Sequence, residues 1–388
     1  MHPATTPAAV ADLAAHLSGE PAIGLDTEFL RERTYYAQLC LLQIAWAGGA
    51  ACVDPLAVTD LGALQAPLCA SATVKVLHAS RQDLEVLLAA VGPVRPLFDT
   101  QLAAALAGEP AQIGYAELVR RLLGQTLAKA HTRTDWSRRP LSAEQIEYAL
   151  DDVRYLLALK NALEERLDRL GRLPWLAEEL TELEDPAALS VDPEQAWRRL
   201  RGLGGLDPGR QRLLRLLAAW RERRALARNR PRGWILDDAL LREMVLRVPR
   251  TPQALGALEG MPPALLERSG SELLECVHAA DIPEPAPPVT RPPPDPNLNV
   301  LLKKLASIQR STAEELGLSP EVLATRRDLS SLPPGARTRR SSSAGAGRCS
   351  VNGCSRLSRS APQPFSACSN RADTTATSPS ASMLRSSP

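Results

Sequence analysis

Lysine is scarce in this 388-residue chain, occurring only at positions 75, 129, 160, 303 and 304, and arginine supplies the other basic residues. Arginine's planar fork suits bidentate contact with phosphate, but the bias runs through every segment and reflects overall composition rather than one site. No two of the seven cysteines stand in a CxxC pair, so a zinc site has little support. Nor do they suggest a disulfide framework: Cys40, Cys52 and Cys69 lie in apolar segments and read as buried, reduced thiols. There is no N-terminal basic-plus-apolar signal segment and no apolar run of membrane-spanning length. These absences predict a reducing, cytoplasmic setting and no membrane partner. The formal net charge of +2 conceals an uneven distribution. Residues 1–170 carry fifteen basic against twenty acidic side chains, whereas residues 330–388 carry eight arginines against one acid.

The length suits two or three domains. Residues 8–18 read as a helix and 22–29 as a strand. Leu39–Trp46 alternates and ends at Gly48-Gly49, a hairpin signal leading into Ala51–Asp54. A helix at 60–70, a strand at 73–78, a helix at 81–90, a short strand at 97–99 and helices at 100–107 and 115–123 follow. The order β-β-β-α-β-α-β-α implies an α/β domain with a mixed sheet, antiparallel at first and then built by crossovers. Residues 125–141 form a polar, basic loop. Ser142 with Gln145 fits a capping box, starting a helix that runs to about Leu170. Residues 171–192, with an acidic stretch, read as a linker to an all-helical domain over 193–283. A proline-rich linker occupies 284–296, and a third helical unit begins at 297–329. From 330 onward the chain is rich in Ser, Arg, Pro, Ala and Thr and cannot bury a core.

Asp26 and Glu28 stand two apart in Ile23-Gly24-Leu25-Asp26-Thr27-Glu28-Phe29. On a strand such residues project from one face. Two carboxylates held that close repel unless a cation lies between them, and hard divalent ions favour carboxylate oxygen. Taken alone, the pair also fits two solvated acids on an edge strand. Asp83 lies where a strand ends and a helix opens, a place where a carboxylate often only complements the helix dipole. Tyr148 and Asp152 are four apart and share a helix face. Leu156 and Leu159 continue close to that face, so it points inward, and a buried acid beside a phenol needs a reason that a metal would supply.

In this order and context, Asp26-x-Glu28, Asp83 and Tyr148-x-x-x-Asp152 resemble the DEDD exonuclease superfamily in its tyrosine subclass. The likeness is closer still to the ribonuclease D family. It includes Arg33-Thr34-Tyr35-Tyr36-x-Gln38-Leu39, Leu77-His78-Ala79 before Asp83, and Asp135-Trp136-Ser137-x-Arg139-Pro140-Leu141-Ser142 before Tyr148. The resemblance implies a ribonuclease-H-like fold and a 3′→5′ exoribonuclease that binds two divalent ions, Mg²⁺ or Mn²⁺. Asp26, Glu28, Asp83 and Asp152 would be the ligands, and Tyr148 would orient the nucleophilic water. It also implies tRNA precursors and other small RNAs as substrates; a monomer is expected. Asp151 projects about 100° away from Asp152 round the helix and reads as a non-ligand. His78 reads as a hydrogen-bonded structural residue, and His131 falls in the basic loop rather than where a histidine-subclass enzyme would need it. Lys129, Arg133, Arg138 and Arg139 either contact the RNA backbone or, with Trp136, order the loop. Phe29 either stacks on the terminal base or belongs to the core.

Gln211–Arg230 followed by Pro231-Arg232-Gly233-Trp234 resembles the helicase-and-RNase-D C-terminal (HRDC) domain, a helical nucleic-acid-binding module. Leu213, Leu217, Trp220 and Leu226 make an apolar stripe. Arg221, Arg223, Arg224, Arg228 and Arg230 fall outside it and are expected to face phosphate or solvent. Residues 297–329 resemble the start of a second such domain, which the Ser/Arg-rich tail then replaces. That tail reads either as a shifted or aberrant frame or as a disordered basic RNA-binding tail. Two other functions share these features, a DNA exonuclease of the same superfamily and a non-catalytic RNA-binding protein. The missing polymerase and helicase segments weigh against the first, and the complete acidic set weighs against the second.

Overall fold

The computed structural model describes residues 3–127, 134–203, 205–283 and 296–324. Lys129, His131 and Arg133, the proline-rich linker up to residue 295 and the Ser/Arg-rich tail lie outside the described residues.

After helix α1 (Pro7–Leu17), strands β1 (Ala22–Leu30), β2 (Gln38–Trp46) and β3 (Gly49–Val53) form an antiparallel meander. Strand β4 (Val74–Leu77) then pairs parallel to β1, and β5 (Leu97–Asp99) parallel to β4. The sheet order is β3-β2-β1-β4-β5, the mixed sheet that the element order implied, with β1 at its centre. Helix α2 (Arg81–Ala90) makes the crossover from β4 to β5. Helices α3 (Thr100–Leu106) and α4 (Tyr115–Leu123) follow. The apolar residues of β1, β4 and β5 pack with those of the helices into one core that includes Ile23, Leu25, Val76, Leu84, Leu87 and Leu159.

The helix expected over 142–170 is two helices. The capping box of Ser142 and Gln145 is present and opens α5 (Ala143–Arg154), which ends at Tyr155 before α6 (Leu156–Arg169). The 171–192 segment is largely helical. Its α7 (Leu173–Glu184) buries Leu176 and Leu180 in the core of the sheet domain, so Glu178 and Glu182 are the wet face of a packed helix, while Glu184 accepts from Leu97 N at 2.8 Å.

The second domain centres on α8 (Pro208–Arg228), wrapped by α9 (Asp238–Arg247) and α10 (Pro263–Ala279). It has its own core, including Leu213, Leu217, Trp220, Leu241, Met244 and Leu273. Between the domains, Tyr35 and Tyr36, in the loop after β1, donate their backbone N–H groups to Asn229 Oδ1 at 3.0 and 3.1 Å. The Tyr35 hydroxyl donates to Glu222, and Arg232 binds Glu222 through Nε and Nη2 at 2.6 Å each. Glu222 is 1% exposed, so its charge is neutralised inside this junction rather than by water. Helix α11 (Pro296–Leu316) returns to the sheet domain, where Arg172 Nη1 donates to Leu106 O at 2.7 Å and Nη2 to Leu316 O at 2.5 Å.

Candidate active site

Asp26 and Glu28 project from β1 at the middle of the sheet, and Asp152 comes down from the end of α5. One carboxylate oxygen from each lies within 4.8 Å of the other two. This convergence depends on a small residue. A Cβ at Gly24, two positions before Asp26, would stand 3.2 Å from Leu156 Cβ and 3.4 Å from Val153 O. Gly24 thus lets the α5–α6 junction press onto β1, and Asp152 precedes that contact by one residue. A bulge in the β1–β2 pairing between Glu28 and Phe29 shifts the ladder's register at the site; bulges of this kind re-aim side chains.

Asp83 is not one of the three converging acids, although its charge acts on Asp26 and Glu28. It sits in the first turn of α2, 8% exposed, and accepts a hydrogen bond from the Thr27 hydroxyl. The start of that helix is fixed by Asp99, a buried hub. Asp99 accepts from Ser80 N at 2.8 Å and Ser80 Oγ at 2.7 Å while capping α3 through Gln101 N at 2.8 Å. Nothing in its neighbourhood marked Asp99 except an acid at the mouth of a helix. Asp151 turns away to Arg154, as its place round the helix implied.

Burial and mutual repulsion load these acids. Desolvation and the charges of Asp83, Asp152 and Glu28 hold the Asp26 carboxyl well above the usual range. Glu28 is pushed up to about 8 by burial and then by Asp152 and Asp83. Burial and then the Asp151 charge raise Asp152 to about 7, against a hydrogen bond from Tyr148. Asp83 rises to about 6 through burial, tempered by Thr27. Without counter-charge such a cluster holds protons at neutral pH; oxygen donors so placed fit a hard divalent cation.

Tyr148 lies one turn from Asp152 on α5, and burial with the nearby carboxylates lifts its phenol to about 12. Its ring stacks on Trp136 with centroids 6.2 Å apart and planes at 26°. Trp136 is 5% exposed and belongs to a small core with Leu41, Ile146 and Leu150. Arg139 ties this loop down, binding Asp54 through Nε at 2.6 Å and Nη2 at 2.7 Å and the carbonyls of Trp136 at 2.8 Å and Cys40 at 2.7 Å. Its role is therefore to order the loop. Arg138 stays 83% exposed beside Asp135. Phe29 packs against the main core, with the Arg31 guanidinium 5.9 Å from its ring.

Two expectations are corrected. Arg221 does not face phosphate: it is 5% exposed, and its Nη1 donates to Leu236 O at 2.9 Å and Asp238 Oδ1 at 2.7 Å. Arg224 is committed to Glu272 at 2.6 Å and lies 5.5 Å over the Trp220 ring. Helix α8 is central to its domain and buries residues on most of its circumference, so Arg221 and Arg224 met protein instead of water. Arg228 and Arg230 remain exposed. Gln43 escaped notice altogether. It pairs with Asp26 across the sheet, is fully buried, and neither side-chain amide atom has a partner among the described residues.

Residues 1–168 match the 3′-5′ exonuclease family, and residues 210–277 match the HRDC domain. Ribonuclease D of Acidiphilium cryptum is 42% identical over 311 residues, which span 77% of this chain and 79% of the relative. This chain belongs to the ribonuclease D family. The ribonuclease D of Gluconacetobacter diazotrophicus is 41% identical over 339 residues, 84% of this chain and 85% of the relative. In three dimensions, the crystal structure of Escherichia coli RNase D, described as an exoribonuclease involved in structured RNA processing, superposes with a TM-score of 0.76 at 35% identity. That match covers 86% of this chain and 90% of the other. Among the described residues, no helix of this ribonuclease D family member is long and apolar enough to cross a membrane.

Proposed function

We propose that this chain, a 3′→5′ exoribonuclease by family, trims tRNA precursors and other small RNAs and releases 5′-mononucleotides. The convergence of Asp26, Glu28 and Asp152 carries the reading. With Asp83 as the fourth acid, these residues would hold two divalent ions, Mg²⁺ or Mn²⁺. Bound there, such ions supply Lewis acidity at the scissile phosphate and lower the pKa of the attacking water. The phenol of Tyr148, with its pKa raised to about 12, stays neutral at physiological pH. It orients the water by hydrogen bonding rather than removing a proton. Trp136 fixes the ring that does so. A cleft of about 590 Å³ lined by Leu30, Arg33, Gln38, Asp135 and Ser137 adjoins the end of β1 and suits an RNA strand. Arg138, exposed although paired with Asp135, and exposed Arg228 and Arg230 would meet phosphates that the acidic face repels. We place the enzyme as a monomer in the cytoplasm, where Cys40, Cys52, Cys69 and Cys276 would remain free thiols as found here.

The test is a 3′-end-labelled precursor tRNA incubated with Mg²⁺ or with chelator. Labelled 5′-mononucleotide should appear only with Mg²⁺, and Asp26→Asn and Asp152→Asn should abolish its release while leaving RNA binding intact. Turnover retained by either variant would sink the assignment.

A further inference from the structure

The helical turn that carries Asp152 is interrupted by a side chain from elsewhere in the fold. In an unbroken helix the Tyr155 N–H would donate to the Asp151 carbonyl, four residues earlier. Here that N–H is turned to Val153 O and to the hydroxyl of Tyr115, 3.0 Å away. The same hydroxyl donates to Asp151 O at 3.1 Å. A phenol oxygen therefore stands in the ladder between the two backbone groups, α5 ends at Arg154, and α6 begins at Leu156. Insertion of a side chain into the ladder is one of the few causes of a sharp helix bend. Asp152 lies between the two residues that Tyr115 holds.

Tyr115 is itself held from behind. Its ring meets His78 edge-on, with centroids 5.7 Å apart. His78 bonds Thr100 Oγ1 through Nδ1 at 2.9 Å and Ile113 O through Nε2 at 3.0 Å, and Gln101 Nε2 donates to the same carbonyl at 3.0 Å. The chain two residues before Tyr115 is thus pinned twice to the first turn of α3 and the end of β4. On the other side the α5–α6 junction is pressed against Gly24.

We propose that Tyr115 is a positioning residue, its hydroxyl setting the bend that turns the Asp152 carboxylate toward Asp26 and Glu28. The inference rests on the metal-cluster reading above and adds a residue outside the motifs quoted for the resemblance. It also gives His78 a role, as the clamp on the loop that delivers Tyr115.

Tyr115→Phe keeps the ring and its packing and removes only the inserted oxygen, so Asp151 O and the Tyr155 N–H can close on each other and straighten the turn. Partners that orient ligands are typically worth about 10–100-fold in metal affinity or activity. The variant should therefore bind Mn²⁺ about tenfold more weakly in an electron paramagnetic resonance titration. Its kcat should fall by a comparable factor, with KM for RNA and melting temperature close to wild type. Wild-type Mn²⁺ affinity and kcat in the variant would overturn the inference, as would a rise in KM with kcat unchanged. Failure of the wild-type protein to bind Mn²⁺ at all would overturn the metal reading first, and the inference with it.

Discussion

A metal-free preparation of this protein should lose stability as the pH rises from 5 to 8. The perturbation is chelation, and the carboxyl cluster sets the sign. In the unfolded chain Glu28 and Asp152 titrate at ordinary carboxyl values; folded, they hold protons up to about 8 and about 7. Between these limits the folded state binds more protons than the unfolded state, so stability is full at the acidic end and drains away as pH climbs through the folded values. A tenfold change in proton affinity corresponds to about 1.4 kcal/mol. Taken alone, Glu28 would lose at most roughly 4 kcal/mol over this window and Asp152 roughly 3 kcal/mol. Their repulsion is mutual and counts once, which leaves about 4 kcal/mol for the pair, or a fall of the order of 10 °C in melting temperature. Lys75, held down to about 8 by burial, works in the opposite sense above that pH, so the window closes there. Scanning fluorimetry from pH 5 to 8 with chelator measures the slope, and saturating Mg²⁺ should flatten it because binding to the folded state alone stabilises it. A melting temperature that is flat or rising with pH in chelator would refute the reasoning. So would the same slope in Asp152→Asn.

Two further outcomes follow from single residues. Gln43 buries an amide with no partner among the described residues, so Gln43→Met, close in volume, should raise stability by about 1–3 kcal/mol in urea unfolding; a destabilised variant would show that the amide is satisfied. Glu222→Ala strands Arg232 and Tyr35 at the domain junction and should cost about 3–5 kcal/mol, seen as a lowered urea midpoint; a surface-like change below about 1 kcal/mol would contradict the buried pair.

The sheet and the acids were legible because their signals are local. Alternation put Asp26 and Glu28 on one face, and four-residue spacing put Tyr148 above Asp152, whatever the rest of the chain did. What sequence reading missed was set by contacts distant in the chain. Gly24 looks like any strand glycine until the α5–α6 junction arrives against it. The break at Tyr155 carries no proline or glycine; its cause is a hydroxyl forty residues upstream. Arg221 and Arg224 depart from expectation because an apolar stripe implies a wet opposite face only on a peripheral helix, and in a central helix both faces are covered. The acidic run after residue 171 gave the same kind of error in reverse, since its buried leucines at 176 and 180 are outnumbered by its glutamates.

The junction of Tyr35, Asn229, Glu222 and Arg232 has a consequence for how such proteins can be rebuilt. The loop it grips leaves β1 two residues beyond the bulge at Glu28, so the helical domain holds backbone closely continuous with the stretch that delivers a proposed metal ligand. The two halves are therefore not interchangeable parts. A chimera that takes its helical domain from another family member must also carry that member's version of residues 31–37, or the seam will present a buried acid to a loop that cannot answer it.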